Sequence, residues 1–316
     1  MEIGSSETTR EAPNTLRTTK TVIVKKFTFT SYILPEHKKN IDFSFLEWFV
    51  GFSEGNACFY SRLENNRVRL SFEIAQKDPA LMYKVRTTLG FGHVTSFRQN
   101  NETYWKFSVE DKKGVQRIML LFNGNLVLPR RYEQFVHWVN FGKSICPANF
   151  ILKVQRVEVS LRTGWLAGFI ESEGCFYANF KFKNPSSLKD WDFDQKLTIT
   201  QQDTHGESDV LQHITVLCDS ADVKLHRVPL LIKNEVFYNK ATEKPNCYRI
   251  ELCSLKAHTI VVSYLSQFPL LGKKKITFLR WWRIYLRRQE PKEKQISIKT
   301  IQKLKKLCSK INTFQK

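Results

Sequence analysis

WFVGFSEGNACF, residues 48–59, aligns without a gap on WLAGFIESEGCF, residues 165–176, at an offset of 117 residues. Three further correspondences follow in the same order. FEIAQKD (72–78) answers LTITQQD (197–203), LVLPRR (126–131) answers PLLGKK (269–274), and Phe135 and Trp138 answer Phe278 and Trp281. Four correspondences in the same order describe a duplicated domain.

Downstream of the first copy, apolar residues alternate at period two from Phe59 to Ile74 around the turn-like Glu64-Asn65-Asn66, which predicts a β-hairpin. A helix from about Pro79 to Leu89 follows. A second hairpin spans about Gly92 to Val109 with Asn100-Asn101 at its turn, and a helix lies near Val115 to Phe122. The second copy repeats the pattern: strands near Cys175–Lys183 and Lys196–Gln201, a helix near Glu207–Cys218, strands to about Leu252, and a helix near Leu255–Phe268. Each unit reads αββαββα, an α+β chain of two pseudo-symmetric repeats. The expected divisions are an arm over 1–40, repeats over 41–145 and 159–288, a linker over 146–158 where Pro147 breaks the pattern, and a basic tail helix over 289–316 with apolar spacing at Ile298, Ile301, Leu304 and Leu307.

The charge constrains the partner. Fifty Lys and Arg against thirty Asp and Glu give +20 and a pI near 9.7, spread along the chain, which implies a polyanion over much of the surface. No apolar run approaches the 18 residues of a membrane span, so a soluble protein and no membrane partner are expected. Seven cysteines in an odd number, without C-x-x-C spacing, suit reduced thiols rather than a zinc site or a disulfide framework. Glu2, Glu7 and Glu11 interrupt what would otherwise resemble a transit peptide.

In both copies the central motif is an apolar helix that ends in acid and glycine. Small residues fall four apart, Gly51 with Gly55 and Gly168 with Ser172, which permits close backbone approach between two such helices. Packed side by side, their C-terminal ends would bring Asn56 and Glu173 together. A carboxylate there faces the negative end of the helix dipole and calls for a cation. Hard oxygen donors favour Mg²⁺ or Mn²⁺ over zinc.

The second copy, LAGFIESEG over 166–174, resembles the LAGLIDADG motif of homing endonucleases and intron maturases, and residues 49–57 resemble a weaker first copy. The resemblance covers about residues 42–288. It implies a monomeric saddle whose antiparallel sheets lie in the major groove of a long double-stranded DNA target, with metal-dependent cleavage at the centre, in a mitochondrion or chloroplast. Position by position, it makes Glu173 the metal-binding acid and the carbonyls of Ser172 and Gly55 further metal contacts. Gln76 and Gln201 would order water, or stand as plain exposed strand residues. Arg131 and Lys274, with Arg130 and Lys273 beside them, would meet phosphate, or belong to a solvated basic face. Asn56 stands where the family has an acid: either an uncharged, weaker ligand or a helix cap. Glu54, two residues earlier and some 200° around the helix, is expected to be structural.

Alternation places Tyr60, Arg62, Arg67 and Arg69 on one face of the first repeat, and Asn179, Lys181, Lys183 and Lys196 on one face of the second. With Arg98 these form a candidate base-reading surface, charged with one sign. The tryptophans at 48, 165, 138 and 281 are assigned to packing. The leading function is thus a Mg²⁺-dependent DNA endonuclease, intact or weakened on one strand by Asn56. The alternatives are a maturase that binds its host intron RNA and a DNA-binding regulator without cleavage.

Overall fold

The computed structural model describes residues 22–182, 191–219, 226–228, 246–290 and 296–313. The first repeat runs α1 (Phe43–Asn56), β2 (Ala57–Glu64), β3 (Arg67–Gln76), α2 (Pro79–Leu89), β4 (His93–Gln99), β5 (Glu102–Val109), α3 (Lys112–Phe122) and α4 (Pro129–Phe141), preceded by a short β1 (Val22–Val24). After β6 (Gln155–Val157), the second repeat runs α5 (Trp165–Glu173), β7 (Gly174–Phe182), β8 (Trp191–Asp203), α6 (Glu207–Leu217), β9 (His226–Val228), β10 (Asn246–Leu252), α7 (Leu255–Gln267) and α8 (Lys274–Gln289), with α9 (Ile298–Asn312) beyond it. The two antiparallel sheets have the same order, β2-β3-β5-β4 and β7-β8-β10-β9.

Local chemistry explains these elements. Asp42 accepts a hydrogen bond from Ser44 N at 2.9 Å and caps α1, whose largely apolar stretch from Phe45 to Glu54 is buried except at Glu47. Both hairpins of the first repeat turn on Asn-Asn pairs in the left-handed region, φ 49° and 59° at Asn65 and Asn66, φ 50° and 60° at Asn100 and Asn101, which suits the twist of the strands.

Motif helices α1 and α5 form the joint between repeats. A β-carbon on Gly51 would lie 2.0 Å from the Trp165 carbonyl oxygen, and one on Gly168 would lie 1.9 Å from that of Trp48. Larger residues at either position would hold the helices apart. The inner face of each sheet packs on its helices. In the first repeat Phe49, Phe72 and Phe122 meet in a ring cluster, with centroids 5.4 to 6.0 Å apart. Each fully buried ring contributes about 1.5–3 kcal/mol.

The structure departs from the expected pattern in three places. Each repeat carries one more helix, α4 or α8, giving αββαββαα; the spacing of Phe135 with Trp138 and of Phe278 with Trp281 is the buried stripe of that helix. Residues 22–40 are not a free arm. Strand β1 pairs in parallel with β6, and Asn125 accepts from Thr28 N at 2.9 Å while donating to Thr28 O at 2.8 Å, so the segment is tied to the first repeat and the linker together. The tail helix forms as expected but is docked: Ile301, Leu304, Cys308 and Ile311 are buried, and Asn312 exchanges hydrogen bonds with the backbone of Ala178 on edge strand β7.

The final helices of the two repeats are capped crosswise. Glu207 of the second repeat accepts from Arg130 N at the start of α4, at 2.8 Å. Asp78 of the first accepts from Lys273 N at the start of α8, also at 2.8 Å.

Candidate active site and sheet faces

Helices α1 and α5 end side by side. A β-carbon on Gly55 would lie 2.1 Å from Ser172 Oγ and 2.9 Å from Glu173 Oε1, so the Glu173 carboxylate rests against the end of the opposite motif helix. Burial pushes the Glu173 carboxyl up to about 7, and the nearby charges of Lys274 and Arg131 pull the other way without cancelling it. The Nδ2 of Asn56 is buried and has no hydrogen-bond partner among the described residues.

Two cations sit behind the helix ends. Arg131 donates from Nε to Glu54 O at 2.6 Å and from Nη2 to Gly55 O at 3.1 Å. Lys274 Nζ donates to Ile170 O at 3.0 Å and to Ser172 O at 3.3 Å. Each bonds carbonyls in the last turn of its helix, Ile170 O being shared with Gly174 N, and opposes the negative end of the dipole. Burial lowers the Lys274 ammonium from its usual range, with Glu171 and Glu173 opposing that shift.

The acids two residues earlier, Glu54 and Glu171, are tied to backbone beside this centre. Glu54 is buried, accepts from Val127 N and Leu128 N at 2.9 and 2.7 Å, and takes Trp165 Nε1 at 2.5 Å. Desolvation pushes its carboxyl up to about 7 despite those donors. Glu171 accepts from Leu271 N and Gly272 N at 2.7 and 3.1 Å. Both acids hold the turn that leads into the repeat's last helix. The repeats differ here, because Trp48 Nε1, the counterpart of Trp165 Nε1, is buried without a partner among the described residues.

Asn56, Gln76, Lys273 and Lys274 line one cavity with Lys77, Cys175 and Thr313. Gln201 stands at the corresponding end of β8, opposite Tyr248, and does not line that cavity. Arg130 turns instead to Gln202, donating from Nη1 at 2.9 Å. Among the described residues no three His, Cys, Asp or Glu side chains converge as a metal site. The donor set is one carboxylate, one side-chain amide and backbone carbonyls, all hard oxygens. That set would suit a hard divalent cation, whose shell waters and phosphate oxygens could complete.

Register sets the sheet faces. Tyr60 pairs with Ser71, Arg62 with Arg69 and Glu64 with Arg67, so Tyr60, Arg62, Arg67 and Arg69 share the face away from the helices. Asn179, Lys181 and Lys196 share the equivalent face of the second sheet, opposite Asp194, Asp192 and Tyr177. Lys183 lies outside the described residues. Arg98 is on the wrong side for this surface: Val94, Ser96 and Arg98 point with core residue Phe107, whereas His93, Thr95, Phe97 and Gln99 point with Ser108 and Lys106.

The face is also not of one sign. Arg62 and Arg69 both reach Glu64, at 3.4 and 3.2 Å, Lys106 reaches Glu73 at 3.1 Å, and Lys196 reaches Glu251 at 3.0 Å. The basic excess in the composition did not reveal these acids, of which Glu64 lies two residues from Arg62 on β2 and the others lie diagonally on a neighbouring strand. Exposed pairs of this kind contribute little stability, so a phosphate or base can replace the carboxylate at small cost. Sequence reasoning also passed over Phe97 and Tyr104, stacked 5.6 Å apart on this face, with Lys77 over the Tyr104 ring; their alternation with Ser96 and Thr103 was the available signal.

Two duplicated αββαββαα units, joined through their motif helices and presenting two antiparallel sheets, define the architecture of a two-repeat saddle. A family model described as LAGLIDADG endonuclease matches residues 49–141 and 166–285, and the chain belongs to that family. It is 27% identical over 240 residues to a probable intron-encoded endonuclease 4 of Neurospora crassa, an alignment covering 75% of this chain and 39% of the relative, so the chain spans about two fifths of that protein's length. An uncharacterised cox1 intron-2 protein of Schizosaccharomyces pombe is 24% identical over 298 residues, 92% of this chain and 76% of the relative. The fold is similar to that of the LAGLIDADG homing endonuclease I-LtrWI bound to target DNA, with a TM-score of 0.62 at 17% identity, covering 86% of this chain and 99% of that one.

Proposed function

We propose that this chain is a divalent-metal-dependent, site-specific endonuclease of double-stranded DNA that cuts the two strands at unequal rates. The observation that carries the reading is the Glu173 carboxylate, packed against Gly55 where two helix ends meet, with Arg131 and Lys274 directly behind. Glu173, Asn56 and the carbonyls of Gly55 and Ser172 would hold Mg²⁺ or Mn²⁺. The ion supplies Lewis acidity and a water of lowered pKa at the scissile phosphate.

The chain's own residues supply the rest. Arg131 and Lys274 can leave the carbonyls for phosphate oxygens, exchanging one acceptor for a more strongly charged one. Gln76, in the same cavity as Asn56, orients water by hydrogen bonding but is no base, so the proton leaves to solvent. Asn56 offers an amide oxygen with no charge. The half-site served by Asn56 is therefore the slower one. Tyr60, Arg62, Arg67 and Arg69 on one sheet, and Asn179, Lys181 and Lys196 on the other, read the two half-sites of a long duplex. The duplication supplies the twofold within one chain, which fits a monomer with repeats over 41–145 and 159–288 joined by 146–158. An organelle, mitochondrion or chloroplast, fits the intron-encoded relatives.

The test is strand-resolved cleavage, with and without Mg²⁺, of the duplex joining the exons that flank the host intron, with Glu173→Gln as control. Metal-dependent cuts, faster on one strand and absent in the control, are expected. Tight binding with no cut on either strand overturns the enzyme reading and directs attention to the intron RNA.

A further inference from the structure

Helix α9 lies outside the duplicated units, and the cleavage reading makes no use of it. Its placement is nevertheless specific. Asn312 accepts from Ala178 N at 3.3 Å and donates to Ala178 O at 3.0 Å, so one side chain satisfies both backbone groups of Ala178 on edge strand β7. Arg280 of α8 donates to Lys310 O at 3.0 Å and holds the other side. The helix is thus fixed along the rim of the second sheet by polar contacts as well as by its buried apolar side.

Residues four apart share a helix face, and Lys305, Ser309 and Thr313 form such a row. Lys305, Ser309 and Thr313 line a concavity together with Asn179, which stands on the outward sheet face. Thr313 also borders the cavity that contains Asn56, Gln76 and Lys274. The row therefore runs from beside the sheet face towards the candidate cleavage centre. Lys299, Lys306 and Lys310 are exposed on the side opposite the buried residues, and the helix carries no acid.

We propose that α9 is a lateral wall of the DNA-binding groove, with Lys305, Ser309 and Thr313 contacting backbone phosphates of the second half-site. The inference rests on the endonuclease reading and adds to it an element that lies outside both repeats. A lysine and two hydroxyls in a row suit phosphate oxygens, which position a duplex without reading its sequence.

The probe is the duplex that the full chain enriches from a randomised library without divalent metal. Affinity is then measured across salt for the wild type, for Lys305→Gln, and for Lys306→Gln, which removes the same charge from the neighbouring, outward position. Lys305→Gln should reduce the slope of log affinity against log salt by about one phosphate contact, and Lys306→Gln should leave it unchanged. Ethylation interference should lose a phosphate in one half-site only with Lys305→Gln. Equal slopes for the two variants overturn the wall and leave the endonuclease reading standing. Failure to enrich any duplex overturns both.

Discussion

The ammonium of Lys274 lies 3.3 Å from the carbonyl oxygen of Ser172, and the guanidinium of Arg131 stands in the same relation to Gly55 O at 3.1 Å. Protein cations therefore occupy the carbonyls that a divalent ion would also use. Lys274→Met should weaken DNA cleavage while raising metal affinity in the absence of DNA. Isothermal titration with Mn²⁺ checks this; unchanged or weaker affinity would mean that the lysine does not compete.

Glu173 carries a carboxyl pushed from its ordinary 4.5 up to about 7 by burial. The folded state favours its protonated form, so the stabilisation is complete below about pH 4.5 and is lost as pH rises through about 7. The melting temperature of the metal-free protein should fall between pH 5 and 8, and Glu173→Gln should flatten part of that fall. Glu54, displaced in the same direction, retains the remainder. Divalent metal requires the charged form, so its affinity should fall about tenfold per pH unit below about 7.

Glu54→Gln should destabilise by about 1–3 kcal/mol, because the new amide can place its oxygen on Val127 N and Leu128 N only by turning its NH₂ against Trp165 Nε1. Trp165→Phe removes the opposing donor. A double-mutant cycle in urea should show the two changes coupled, and simple additivity would disprove the contact.

Gly51→Ala should cost well over 1 kcal/mol, since its methyl would meet a backbone oxygen at 2.0 Å and the two motif helices would have to separate. The loss should be read as a lower melting temperature accompanied by reduced cleavage of both strands. Gly168→Ala should behave alike.

Asn56→Asp should bring the slower strand closer to the faster one in a time course of strand-labelled duplex. Arg69→Ala should weaken binding, and Arg98→Ala, on the other side of its strand, should not. The reverse order would place the reading surface on the wrong face.

What was legible in the sequence was the internal repeat and whatever depends on a neighbour a few residues away. The duplicated motif, the Asn-Asn hairpins and the small residues of the helix joint are of this kind, and each occupies its expected place. The charge of Arg98 says nothing of its side; strand parity with Val94 and Ser96 does. Residues 22–34, VIVKKFTFTSYIL, are rich in strand-forming side chains, but no local pattern names their partners, which are β6 and Asn125. The pairing of Glu64 with Arg62 and Arg69 follows from the hairpin register, whereas the bond of Arg131 to Gly55 O joins distant parts of the chain and depends on tertiary geometry that no local pattern carries.

The crosswise caps bear on how such a gene can be rearranged. Because Glu207 serves α4 and Asp78 serves α8, neither half holds all the groups its own last helix needs. A chimera that joins one repeat to the other half of a relative inherits a helix start whose acceptor was selected in a different protein. Successful exchange would have to carry residues 126–131 with 203–207, and residues 269–274 with 76–78, so the units that can recombine are these paired corners rather than the repeats.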